Sequence, residues 1–116
     1  MSTDPNCIFC KIVAGQIPSR KVHEDDELLV FHDIAPWAPV HILLIPKRHV
    51  ASLYDTTPDE HTALLGRMLA LAPQLMREHG VLNGFRVLVN NGPDGRQEVP
   101  HLHVHVMGGP RPWAKG

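Results

Sequence analysis

Residues 100–109, PHLHVHVMGG, set His101, His103 and His105 in strict alternation with Leu102, Val104 and Val106. Successive side chains of a strand point to opposite faces. The pattern predicts a strand over HLHVHVM, in which Leu102, Val104 and Val106 bury one face. The three histidines then line the other face, roughly 6.5–7 Å apart along the strand. A tetrahedral phosphoryl group fits between two such rings. One reading is a half-exposed strand with polar residues outward. A second is a metal cage, although a divalent site usually recruits carboxylates and none stands within the triplet. The third is nucleophilic catalysis at phosphorus. A neutral imidazole is a nucleophile near pH 7 without a separate base, and a cationic neighbour offsets charge developing on the phosphate.

Outward from this strand, GFRVLVNNG (84–92) reads as another strand and GPDGRQEV (92–99) as the loop between them. APVHILLIPKRH (38–49) contains a buried strand, 40–45, ended by Pro46. SRKVHEDDELLVFHDI (19–34) resembles a hairpin, with the acidic cluster 24–27 at the turn and 28–34 as its second strand. KIVAGQIP (11–18) begins as a short apolar element and stops at Gly15 and Pro18. The one clear helix lies in TTPDEHTALLGRMLALAPQLMREHG (56–80). Thr57 is its N-cap, Pro58 its first residue, and Glu60 completes a capping box. Leu64, Leu65, Met68, Leu69, Ala72, Leu75 and Met76 recur at helical spacing; Gly80 stops the helix and Pro73 kinks its last turns. Strands around one long helix predict an α+β domain with an antiparallel sheet.

The bulk numbers narrow the class. The chain has 116 residues, 43% hydrophobic and 20% charged, with a formal net charge of −1. That length suits one domain, and the charge gives no field that would gather nucleic acid or an anionic membrane. No apolar run has the length of a signal peptide or a membrane span, so an intracellular location is expected. The two cysteines stand as CIFC, Cys7 and Cys10. Their spacing suits one tetrahedral metal, a redox pair, or two buried thiols. Histidine is the anomaly, at nine residues.

HLHVHVMGG resembles the signature of the histidine triad (HIT) family, His-φ-His-φ-His-φ-φ with φ apolar. CIFCKIVAGQIPSRKVHEDDELLVFHDIAPWAPVHILLIPKRH and NNGPDGRQEVPHLHVHVMGG are similar to its Hint, or purine nucleoside phosphoramidase, branch. Together they cover most of the chain. The resemblance implies one HIT domain over 1–116 with irregular tails at 1–6 and 110–116. Its fold would be an antiparallel sheet of about five strands, one long central helix and a short N-terminal helix. It implies a cytoplasmic homodimer that takes a purine nucleotide and neither nucleic acid nor membrane. It also implies a hydrolase that cleaves purine nucleoside 5′-phosphoramidates, or aminoacyl-adenylate-like substrates, at the α-phosphorus. The alternatives are a dinucleoside polyphosphate hydrolase or phosphorylase, and a nucleotide-binding regulatory module.

The resemblance also assigns residues. His103 would be the nucleophile that forms a nucleotidyl-histidine, His105 would contact the phosphate, and the His101 carbonyl would hold the other nitrogen of His103. His41 matches a fourth family histidine, or is a satisfied core histidine. Asp33 would accept from the ribose hydroxyls, as a carboxylate suits a vicinal diol; otherwise it ends a strand. Ile34, Phe9 and Ile12 would wall the base. Asn90, Gly92, Arg96, Gln97 and Glu98 would complete the nucleotide site, and Trp113 in the tail would approach the partner's site. Glu98 stands where Hint proteins often carry serine, Pro100 replaces an aromatic residue, and Arg96 occupies a usually small position; these departures bear on the leaving group. Some relatives bind structural zinc through such a cysteine pair, a histidine in a P-x-x-H-like segment and the first triad histidine, here Cys7, Cys10, His49 and His101.

Overall fold

A computed structural model describes residues 3–116; residues 1 and 2 of the expected irregular N-terminal tail lie outside the described residues. The elements run α1 (Ile8–Val13), β1 (Lys21–Glu24), β2 (Leu28–His32), β3 (Val40–Pro46), a 3-10 turn (Leu53–Asp55), α2 (Pro58–Glu78), β4 (Phe85–Leu88) and β5 (Val104–Gly108). The strands form one five-stranded sheet in the order β1-β2-β3-β5-β4, and every pairing is antiparallel. No helix of the described chain is long and apolar enough to cross a membrane.

The two faces of the sheet bury different things. Leu28, Val30, Ile42, Leu44, Val104 and Val106 pack with Leu64, Met68, Ala72, Leu75 and Met76 of α2. On the opposite face Leu29, Phe31, Leu43 and Ile45 pack with Cys7, Phe9, Cys10 and Ile12 of the α1 segment. β2 and β3 are therefore apolar on both faces, and a continuous hydrophobic run replaces alternation. Arg67 of α2 pairs with Asp25 and Glu27, which clamps the β1–β2 turn onto the helix.

Thr57 caps α2 by accepting from the Glu60 N–H at 3.3 Å. The reciprocal bond expected of Glu60 is made instead by His61, whose Nδ1 accepts the Thr57 N–H at 2.9 Å. His61 is buried and Glu60 faces solvent, so it is the histidine side chain that closes the box. The helix runs on through Pro73 to Glu78. It ends in a Schellman turn, with Gly80 at φ 76°, its N–H donating to the Arg77 carbonyl and the Val81 N–H to that of Met76.

Four strand boundaries differ from the sequence reading, and the largest shortening is in β4, which ends at Leu88 where a strand over 84–92 is expected. β2 stops at His32: the Asp33 N–H still donates to the His41 carbonyl, its next partner in the register, but the Asp33 side chain accepts the Ala35 N–H and turns the chain away. β3 includes Pro46, which sits opposite Leu28 at the strand end. β5 begins at Val104 rather than His101. Residues ahead of it leave the ladder, the His101 N–H donating to the Val99 carbonyl at 2.8 Å and the Leu102 N–H to that of Val50 at 2.6 Å.

Candidate active site

The departure of His101–His103 from the ladder shapes the site. The histidines do share one face, but α1 covers it. His101 and His103 are buried and His105 is half-buried. The rings of His103 and His105 lie 5.0 Å apart, closer than an extended strand would set them. Phe9 meets His103 edge-on at 5.1 Å. Beside them on β3, Leu43 stands opposite His105 and His41 opposite Met107, which brings His41 to the same face.

Hydrogen bonds fix which nitrogen of each ring carries the proton. A carbonyl only accepts, so the ring nitrogen facing it must donate. His101 Nε2 donates to the Pro46 carbonyl at 2.8 Å, which leaves the lone pair on Nδ1. His103 Nδ1 donates to the His101 carbonyl at 2.7 Å, which leaves the lone pair on Nε2. His105 Nδ1 lies 3.0 Å from His41 Nε2. That His41 nitrogen is also 3.4 Å from Asp33 Oδ2. Burial disfavours the charged imidazole. It pushes His101 and His105 down to about 4, and His103 and His41 below the ordinary histidine value. For His103 the carbonyl of His101 and the charges of Asp33 and Glu98 oppose that fall. The rings are therefore neutral near pH 7, as a nitrogen nucleophile requires.

A cleft of about 330 Å³ opens beside the row, lined by Ile12, Phe31, Asp33 and Ile34 together with Ser19 and His32. Ile34 projects fully into solvent. Phe9 sits under the triad instead of lining this cleft. Asn90 follows β4 and is half-buried where the chain enters the glycine loop. In that loop Gly92 holds φ +71°, and a Cβ on Gly95 would fall 2.4 Å from the Asn91 carbonyl oxygen, so glycine is required at both. Arg96 and Glu98 are exposed. The amide of Gln97 is spent on the loop: Oε1 accepts from Gly92, and Nε2 donates to the carbonyls of Ala51 and Val99. Gln97 thus shapes the loop, with both Nε2 protons committed to backbone carbonyls.

Trp113 is not brought to the triad within one chain. Its indole N–H donates to the Gly109 carbonyl at 3.0 Å, and the Arg111 guanidinium stacks on it at 3.7 Å. It lines a separate cleft with Phe85 and Arg86. The tryptophan at the triad is Trp37, stacked at 6.5 Å from His105 and bonded through its backbone N–H to His41 Nδ1 at 3.0 Å. The sequence reading passed over Trp37 and Phe31. The available signal for Trp37 was a bulky aromatic in the proline-bounded stretch APWAPV, just ahead of His41.

The N-terminal cysteines meet the triad from the other end. Cys7, Cys10, His49 and His101 each offer a ligand atom within 4.8 Å of all the others, and so could hold a metal ion. His101 Nδ1 lies 3.3 Å from Cys7 Sγ and 3.6 Å from Cys10 Sγ, and His49 Nδ1 lies 3.4 Å from Cys10 Sγ. Tetrahedral zinc with ordinary Zn–N and Zn–S bonds spaces its ligands about 3.3–3.8 Å apart. The free lone pair of His101 already faces the sulfurs. The donor set fits the ion.

A family model described as the HIT domain matches residues 14–111. The chain belongs to the HIT family. A relative named Adenylylsulfatase HINT1 from Arabidopsis thaliana is 45% identical over 108 residues, covering 92% of this chain and 74% of that protein. A Brassica juncea relative named 14 kDa zinc-binding protein is 47% identical over 103 residues, covering 88% and 91%. Among solved structures, the HIT family hydrolase from Legionella pneumophila aligns with a TM-score of 0.87 at 43% identity, covering 91% of this chain and 95% of that one. The five-stranded antiparallel sheet with one long and one short helix is the HIT fold.

Proposed function

We propose that this HIT protein is a nucleotide hydrolase of the phosphoramidase type, acting at the α-phosphorus of purine nucleoside 5′-phosphoramidates or aminoacyl-adenylate-like substrates. One observation carries the reading: the His101 carbonyl holds the proton of His103 on Nδ1, so the Nε2 lone pair is left free, with the His105 ring 5.0 Å away. His103 Nε2 bonds to phosphorus while the bond to the leaving group breaks. The leaving group keeps the electron pair and takes a proton. Water then adds to phosphorus, the P–N bond to His103 breaks, and the nucleoside monophosphate departs.

The cleft beside the triad supports a bound nucleoside, with Asp33 for the ribose diol and Ile12, Phe31 and Ile34 for the base. Asn90 and the glycine loop flank the phosphate position. Zinc at Cys7, Cys10, His49 and His101 would be structural, because four protein ligands leave no open position. It would hold the N-terminal segment to the segment that carries the nucleophile. A homodimer is supported by β4, an edge strand on which Phe85 and Val87 are exposed, with Leu82 80% exposed beside it. The names of the Arabidopsis and Legionella relatives point the same way, to hydrolysis.

The test is a turnover screen of adenosine phosphoramidates, aminoacyl adenylates, adenylyl sulfate and dinucleoside polyphosphates. Rapid quenching should trap a nucleoside monophosphate on His103. Exclusive turnover of dinucleoside polyphosphates would replace the substrate class. No trapped adduct with any turned-over substrate would remove the covalent step.

A further inference from the structure

His41 has two nitrogens in fixed and different surroundings. Its Nδ1 receives the Trp37 backbone N–H at 3.0 Å, and an N–H can only donate. Its Nε2 faces the Asp33 carboxylate at 3.4 Å, and a carboxylate can only accept. Both neighbours demand the same tautomer, with the lone pair on Nδ1 and the proton on Nε2. That proton also points at His105 Nδ1, 3.0 Å away. His105 Nδ1 must then be the bare nitrogen, so the proton of neutral His105 sits on Nε2. We infer that Trp37 is a positioning residue: its backbone N–H fixes the tautomer of His41, and His41 fixes His105 with a donor N–H turned toward the reacting phosphate. The inference rests on the reading of His105 as the phosphate contact.

The arrangement gives the two triad histidines opposite polarity. His103 offers a lone pair at Nε2 and His105 an N–H at Nε2. A nucleophile and a donor to the phosphate oxygen are thereby set before substrate arrives, and a donor in place in advance costs no reorganisation at the moment of reaction. Without the Trp37 N–H, His41 would be freer to turn or to exchange tautomers. His105 could then present a second lone pair to an anionic phosphate, which repels it.

Trp37 is itself held. Its carbonyl accepts the Ala114 N–H of the C-terminal tail at 2.7 Å, and its indole stacks near His105 at 6.5 Å. The stretch that carries it is bounded by Pro36 and Pro39, each with a fixed φ. The same logic excludes a metal at Asp33, His41 and His105, whose ligand atoms also lie within 4.8 Å of one another. Neutral His41 has one lone pair, and the Trp37 N–H takes it. At the cysteine site the corresponding lone pair of His101 faces sulfur and is free to bind.

The direct test replaces Trp37 by its α-hydroxy acid in the full chain. That exchange turns the N–H into an ester oxygen and keeps the indole. kcat on an adenosine phosphoramidate should fall about tenfold or more, less than the roughly 10²-fold or greater loss expected if the donor itself were removed, with KM within about twofold. Imidazole 15N shifts of the native protein near neutral pH should show the proton on Nε2 of His41 and Nε2 of His105. In the ester variant both signals should move toward mixed tautomers. A second pair of variants separates the two ends of His41. In H41Q the amide N–H reaches the position of Nε2, whereas H41N replaces only Nδ1. H41Q should therefore keep a kcat about tenfold above that of H41N. An unchanged kcat in the ester variant, an effect confined to KM, a native proton on Nδ1 of His41 or His105, or H41N matching H41Q would each overturn the inference. The 15N measurement needs no substrate. If the substrate reading fails, it still decides the tautomers.

Discussion

At the centre of the sheet both faces are buried, and they are buried by opposite means. The face under α2 is a cluster of apolar side chains, Leu28, Val30, Ile42, Leu44, Val104 and Val106 against the helix. The face under α1 carries His41, His101, His103 and His105 among apolar neighbours. The first is held by area removed from water, about 25 cal/mol per Å². The second meets the cost of burying imidazoles with specific hydrogen bonds, since His101, His103 and His41 each bond to a backbone group. Apolar contacts tolerate substitution by anything of similar volume. Hydrogen bonds to fixed carbonyls and amides dictate a tautomer, and a dictated tautomer is what lets a histidine act in one direction.

The contrast can be broken most sharply at His103. H103A should lower turnover by about 10³ or more and leave nucleotide binding measurable, because only binding and electrostatic contributions remain. Single-turnover kinetics and equilibrium dialysis with AMP check both halves. A variant that keeps more than about a tenth of the native rate would deny His103 its role.

The opposite face should answer with stability and not chemistry. Met68 is completely buried under the sheet. M68A should cost about 2–4 kcal/mol of unfolding free energy through lost contacts and a cavity. kcat measured below the unfolding transition should stay near the native value. A large fall in kcat would mean that the two faces are coupled through the sheet.

Cys10 tests whether the histidine face needs a metal. C10S, or chelation of the native protein, should lower Tm by about 5–10 °C, more than it lowers kcat measured at low temperature. Metal analysis of protein purified without chelator should give about one zinc per chain. No zinc, and no thermal shift on adding it, would leave Cys7 and Cys10 as core residues.

The smallest effect separates the faces by pH. Burial lowers His105 to about 4 and lowers His41 as well. The unfolded chain takes up these protons from about pH 6.5 downward. The folded chain resists them, so the unfolded state binds more protons between those limits. Stability is thus complete above about pH 6.5 and is lost as pH drops toward 4, read as a falling Tm. Thermal unfolding of the native protein and H41Q at several pH values checks this, with a shallower slope expected for H41Q. An equal slope would assign the pH dependence to other groups.

The alternation of His101, His103 and His105 was legible because a strand has a period of two and the intervening residues are apolar. For the same reason α2 was legible: its caps and its helical apolar spacing are local, and local sequence sets them. The pairing of Cys7 and Cys10 with His49 and His101 was also within reach, since the resemblance named the residue types and the fold only had to bring them together. The sheet order was not. It depends on β5 inserting between β3 and β4, a long-range pairing that no local pattern encodes. Trp37 was missed, and the loop-shaping bonds of Gln97 were not legible, for a related reason. Trp37 acts through a backbone N–H, which every residue but proline possesses, and Gln97 is committed to carbonyls at Ala51 and Val99. Residue type announces what a side chain can do; only the tertiary structure decides which of its atoms are already occupied. The sequence by itself determined the chemistry available, an imidazole row on one face of a strand. The tertiary structure decided its direction, because the Pro46 and His101 carbonyls and the Trp37 amide settle where each proton resides.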